Sequence, residues 1–165
     1  MEAFRLAMFV RALALLSLAA AHLWAAGPIA PITVCEILAD PAALDGKDVA
    51  VLGRYSFRKD GRWIGEQSCG TAATVPPMLW LTEDSAAGPK SPADFELDAS
   101  VLNRKFAEML KHTALGKFRF GTPDYDRWAV VYGRVIVRKG NDAAKAPAEL
   151  VFRGSGVVIF LTPER

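Results

Sequence analysis

Apolar and polar positions alternate with a period of two along several stretches of this chain. From Asp48 to Arg58, Val49, Val51, Gly53, Tyr55 and Phe57 share one face, while Ala50, Leu52, Arg54, Ser56 and Arg58 take the other. That is the pattern of a strand with one face toward a core. Lys59-Asp60-Gly61 reads as a hairpin turn in which Gly61 takes positive φ, and Arg62 to Gln67 returns as a second strand closed by Cys69. After Pro76 and Pro77, Met78 to Thr82 forms a third strand. Trp128 to Arg138 is a fourth, with Val131, Gly133, Val135 and Val137 opposite Tyr132, Arg134 and Ile136. Glu149 to Thr162 is the fifth, and the glycine pair in Gly154-Ser155-Gly156 predicts a bulge or bend within it.

Two segments have helical character instead. Thr33-Val34-Cys35-Glu36 has capping-box form, so a short helix starts there and stops near Pro41. Leu44-Asp45-Gly46-Lys47 is a turn. Asp98 or Ser100 caps a second helix in which Leu102, Phe106, Met109, Leu110 and Thr113 form one stripe. Arg104, Lys105, Glu108 and Lys111 face solvent, and Gly116 ends it. The order is strand, strand, strand, helix, strand, strand after a short N-terminal helix. This predicts a mainly β fold, a five-stranded OB-like barrel with the longer helix plugging one end. Its core is expected to include Val49, Val51, Leu79, Leu81, Phe106, Val131 and Val135.

The N-terminus changes the picture. Residues 1–21 carry Arg5 and Arg11 ahead of an uncharged run from Ala12 to Ala21, the anatomy of a signal peptide. Ala19 and Ala21 place the cut before His22. Met8 is an alternative start, and an uncleaved membrane anchor is the alternative fate, although Ala12 to Ala26 is short of the roughly 20 residues that span a bilayer. Residues 22–32 then form a flexible lead-in, and residues 33–165 form the barrel domain. Cutting after Ala21 removes Arg5, Arg11 and Glu2 from 20 basic and 18 acidic residues, leaving 18 against 17. A charge near neutrality argues against nucleic acid as partner.

Cys35 and Cys69 are the two cysteines of the chain. In an exported domain, with no further cysteine or nearby histidine to complete a metal site, they are expected to form a disulfide. The enclosed loop makes this a structural bridge worth roughly 3–4 kcal/mol. A redox role would call for closely spaced cysteines.

The stretch Val34-Cys35-Glu36-Ile37-Leu38, Pro41, Asp45-Gly46-Lys47, Val49-Ala50-Val51-Leu52-Gly53 and Cys69 resembles small exported bacterial OB-fold-like proteins of unknown function. In these, the helix before strand one and the loop after strand two each carry a cysteine. The resemblance covers residues 33–69 and implies a fold and an extracytoplasmic address, periplasmic or secreted. It implies no activity.

Catalytic signatures are few. His112 sits near a helix end, where it complements the dipole, and His22 falls at the new terminus. Neither a zinc cluster nor a nucleophile triad can be assembled, so no metal and no cofactor is expected. Gly154-Ser155-Gly156 lacks the strand-to-helix setting of a nucleophile elbow, and Asp94, Glu96 and Asp98 lack the spacing of a calcium loop.

Binding chemistry is more visible. The two loops that an OB barrel turns toward its ligand are both basic: Arg58, Lys59 and Arg62 at the first, Arg138, Lys139 and Lys145 at the second. Tyr55, Phe57 and Trp63 flank the first, and Trp63 offers a stacking surface, although Tyr55 and Phe57 share their strand face with core valines. The chain therefore reads as a non-enzymatic exported OB-like binding domain. Its expected partner is an anionic polymer or an envelope protein, with membrane contact only through an uncleaved signal segment. The alternative is an extracytoplasmic hydrolase using Glu66, Asp124 or Asp126.

Overall fold

The computed structural model describes residues 27–70, 77–92, 95–111, 125–154 and 158–161. The signal segment and its cleavage point, His112, Thr113, Gly116, Asp124 and Gly156 lie outside these residues, as does the side chain of Asp126.

A capping box opens the structure. Glu36 N donates to Thr33 Oγ1 at 3.2 Å and Thr33 N donates to Glu36 Oε2 at 2.6 Å, so each end of the motif satisfies an amide that the first helical turn leaves without a partner. Helix α1 (Val34–Ala39) follows a two-residue strand β1 (Ile32–Thr33) and stops at Asp40. Asp40 then caps a second short helix, α2 (Pro41–Leu44), by accepting from Ala43 N at 3.1 Å. Pro41 ends one helix and begins the next, because its missing N–H costs nothing at a first helical position.

Five strands close a barrel. Strand β2 (Asp48–Arg58) turns into β3 (Gly61–Gly65), which pairs with β4 (Met78–Glu83). Strand β5 (Tyr125–Val137) pairs antiparallel with β6 (Ala148–Phe152), and β6 lies parallel to β4. Closure comes from β2 and β5, which pair from Asp48↔Arg134 to Phe57↔Tyr125 without a break in register. The order of these five strands and the single parallel contact among them are those of an OB-like barrel, with helix α3 (Ala99–Lys111) between β4 and β5. The expected interruption of the last strand is present. β6 ends at Phe152, Gly154 has φ 61°, and β7 (Val158–Phe160) resumes pairing with β5 at Ala129–Val131. A 3₁₀ turn (Gly140–Ala144) occupies the β5–β6 connection.

The alternation correctly marks the interior. Val51, Ile64, Leu79, Leu81, Val131, Val135 and Leu150 are all buried there, and the register places them on one continuous face. Gly53 belongs to this face too, since a Cβ there would meet Ile64 Cγ1 at 2.7 Å and Val34 Cγ2 at 3.2 Å. Three expected interior residues depart from the pattern. Val49 and Phe106 are only partly buried against the core. Phe57 is 47% exposed, because it sits next to the hairpin turn where the barrel opens.

One larger departure concerns the other face of β2 and β5. Ala50, Leu52, Val130 and Tyr132 are buried as well, so these strands are covered on both sides. Phe95 packs edge-on to Tyr132 at 5.3 Å and Phe106 of α3 meets Trp128 at 5.4 Å. Trp128 lies on the face of β5 opposite Val131 and Val135, so α3 covers the barrel wall from outside rather than plugging an end. Its N-terminus is capped by Asp98, whose Oδ1 accepts from Ser100 N at 2.9 Å and Val101 N at 3.0 Å. Ile29, in the segment that leads into the barrel, bonds to the strand-like stretch before α3. Ile29 N donates to Glu96 O at 2.7 Å and Asp98 N to Ile29 O at 3.0 Å.

Candidate functional site

Inward placement of Ile64, Leu79 and Leu81 forces their strand neighbours outward. Trp63 on β3 and Trp80 on β4 therefore project from the outside of the barrel, and register makes them direct partners. Their indoles stack with centroids 6.1 Å apart and planes 24° from parallel. Gly61 makes room for this arrangement. A Cβ at that position would fall 2.3 Å from Trp80 Cζ2, and its φ of 137° is one that side-chain-bearing residues rarely adopt.

Each ring of the pair has a guanidinium within cation–π reach. Arg58, from the end of β2, lies 5.9 Å from the Trp63 centroid, and Arg138, just past β5, lies 5.8 Å from that of Trp80. The two basic loops thus meet at one aromatic pair. Arg138 is further held 3.9 Å from Glu149 and 3.8 Å from Asp142, and Thr82 Oγ1 donates to Glu149 Oε2 at 3.4 Å. Beside Trp63 a cleft of about 170 Å³ is lined by Arg54, Ser56 and Arg58 of β2 and by Glu66, Pro77 and Met78.

The other expected contact residues fall elsewhere. Arg62 alternates to the inner face, where it lies 5.6 Å from the Phe57 ring and 5.9 Å from that of Phe152. Its 2.8 Å ion pair with Glu83 strengthens the hold on the guanidinium proton. Lys59 and Lys139 are exposed, one in the hairpin turn and one before the 3₁₀ turn. Tyr55 is buried and Phe57 shares its inner face, so neither joins Trp63. The second ring is Trp80, which the sequence reading missed. Its place between Leu79 and Leu81 was a signal that it faces outward, but its pairing with Trp63 depends on register.

A second cleft, about 230 Å³, lies where α1, α3 and the segment after β3 converge, with Glu36, Glu66, Lys105, Met109 and Trp128 in its walls. Lys105, expected in solvent, instead donates to both carboxylate oxygens of Glu36 at 2.7 and 2.5 Å. Burial pushes the Glu36 carboxyl up, but hydrogen bonds from Lys105 and the Thr33 amide outweigh this and hold it below the usual range. Glu66 behaves oppositely. Burial pushes it above the usual range, even though Cys35 N donates to its Oε1 at 2.8 Å. Glu66 thereby caps α1 from the residue just past β3, beside the Cys35–Cys69 disulfide. Among the described residues no group of three His, Cys, Asp or Glu side chains is placed to hold a metal ion.

A raised pKa in the folded state means that Glu66 binds its proton more tightly folded than unfolded, so stability falls as pH rises through that pKa. Glu36 has the opposite sign and acts at lower pH, where its contribution is lost on acidification. Glu66→Gln is therefore expected to flatten the decline in stability as pH rises from the ordinary carboxylate range toward neutrality, and to leave the acid limb in place. Urea midpoints measured across that range decide it, and parallel profiles for variant and parent would overturn the assignment.

The disulfide suggests an oxidising, extracytoplasmic setting, and among the described residues no helix is long and apolar enough to cross a membrane. The expected resemblance to exported OB-like proteins accordingly has the barrel and the cysteine bridge behind it, and no more. No protein-family model, curated protein or solved structure matches the chain.

Proposed function

We propose that this chain is a non-enzymatic binding domain of the cell envelope or extracellular space, taking an anionic ligand on the outer face of β3 and β4. The observation behind this reading is the stacked Trp63–Trp80 pair, with guanidinium groups from the hairpin and from the β5–β6 connection over its rings. These are the loops that border the ligand face of OB barrels, and aromatic rings beside cations suit a ligand that combines flat surfaces with negative charge. The hydrolase alternative has less behind it. Glu66 caps α1, while Glu36 and Glu108 are each ion-paired with a lysine, Lys105 and Lys111.

The test is titration of the domain with anionic oligomers at low and physiological salt. Trp80→Ala is expected to weaken binding about fivefold to a hundredfold, the usual effect of losing one stacking ring. The Arg58→Ala, Lys59→Ala double variant weakens it further at low salt, and added salt weakens binding to the parent. Salt-insensitive binding, or unchanged affinity in both variants, would reject this face and favour an envelope protein as partner.

A further inference from the structure

The ligand face is chemically mixed, and the mixture narrows what it accepts. Arg54, Arg58 and Glu66 all line the small cleft beside Trp63. At the Trp80 end, Arg138 is accompanied by the carboxylate of Glu149. A nucleic acid strand presents a negative charge at every step and asks its partner mainly for donors and cations. Carboxylates set among the arginines would repel it. A sugar hydroxyl both donates and accepts, so a face that interleaves guanidinium donors with carboxylate acceptors fits a carbohydrate better. The cleft, at about 170 Å³, is smaller than the roughly 300 Å³ at which pockets begin to enclose a whole drug-sized ligand. It has room for one acidic group of a longer molecule lying across the tryptophans.

We infer that the ligand is an oligosaccharide with acidic groups on some of its rings, one carboxylate entering the cleft between Arg54 and Arg58 while its sugar ring lies on Trp63. This rests on the reading of the outer face as the ligand face. Both arginines can offer paired N–H donors to a carboxylate, and Trp63 supplies the flat apolar surface that the C–H side of a sugar ring covers. Sparse acidity matches the charge of the face.

The experiment uses three probes against the intact domain: a hyaluronan hexasaccharide, in which acidic and neutral rings alternate; the same hexasaccharide with its carboxyl groups reduced to alcohols; and a thymidine hexanucleotide. The acidic sugar is expected to bind about tenfold or more tightly than its reduced counterpart, the scale of a charge-assisted hydrogen bond. Arg58→Ala is expected to bring the two sugars within about twofold of each other, because only the charged contact is lost, whereas Trp63→Ala weakens both. Arg54→Lys repeats the arginine test with the charge kept and the paired donors removed, and circular dichroism confirms that each variant is folded. Equal affinity for the two sugars would overturn the inference. So would tighter, Trp63-dependent binding of the oligonucleotide, which would leave the ligand face standing. If no probe binds in a Trp63-dependent way, the ligand face falls and the inference with it.

Discussion

Replacing Cys35 with serine is expected to lower the unfolding free energy by roughly 3–4 kcal/mol, because the bridge to Cys69 spans 34 positions and its loss frees that loop in the unfolded chain. The enclosed segment contains α1, α2, β2 and β3, so the cross-link fastens the entry helix to the point where β3 leaves the barrel. The same junction carries the hydrogen bond from Cys35 N to Glu66, which the serine variant keeps. The barrel is therefore expected to fold without the disulfide but to melt lower, by about 10 °C for a domain of this size. Calorimetry of the parent with and without reductant, and of Cys35→Ser, reads the effect directly. An unchanged melting temperature on reduction would show that the bridge only decorates a junction already fixed by packing. Two free thiols in protein isolated without reductant would remove it altogether.

Phe152→Ala is expected to cost about 3–5 kcal/mol, the range for emptying a large aromatic site in a core. Phe152 is 2% exposed at the end of β6, with the Arg62 guanidinium 5.9 Å from its ring. Its carbonyl accepts from Asp84 N at 2.9 Å, and the backbone of Gly88 approaches so closely that a Cβ there would lie 2.6 Å from the Phe152 carbonyl carbon. A site fixed from three sides cannot collapse to fill the space, which sets the expectation high in the range. Phe106→Ala serves as the comparison. Its ring is only partly buried and lies on the outside of β5, so it costs less than Phe152→Ala. Chemical denaturation of both variants tests the order, and a larger loss at Phe106 would mean that α3 and not the β6 end anchors the core.

The features legible in the amino-acid sequence were those set by residues close together along the chain. The capping box of Thr33 and Glu36 closes over three positions, and Asp98 caps α3 through amides two and three residues on. The strands follow from a period of two, and the break at Gly154 from a residue free to take positive φ. The element order limited the topology to an OB-like barrel, and the even cysteine count behind a signal-like N-terminus pointed to the Cys35–Cys69 bridge. These signals depend on backbone geometry that repeats every few residues, which a single strand or helix carries by itself.

Tertiary structure alone decided what faces what across the barrel. Arg58 and Arg62 are both cations of one hairpin, yet Arg58 goes to Trp63 on the outside and Arg62 to Phe57 and Phe152 within. Trp80 becomes part of the candidate site only because β3 and β4 pair at Trp63↔Trp80, and Arg138 reaches it across β6 from the far side of the chain. The burial of both faces of β2 and β5, the Lys105–Glu36 ion pair and the Glu66 cap on α1 likewise join residues remote in sequence. Strand register is what sets such contacts. A slip of one position would send every side chain of a strand to the opposite face, and that choice is made by the packing of the whole barrel rather than by any one segment of it.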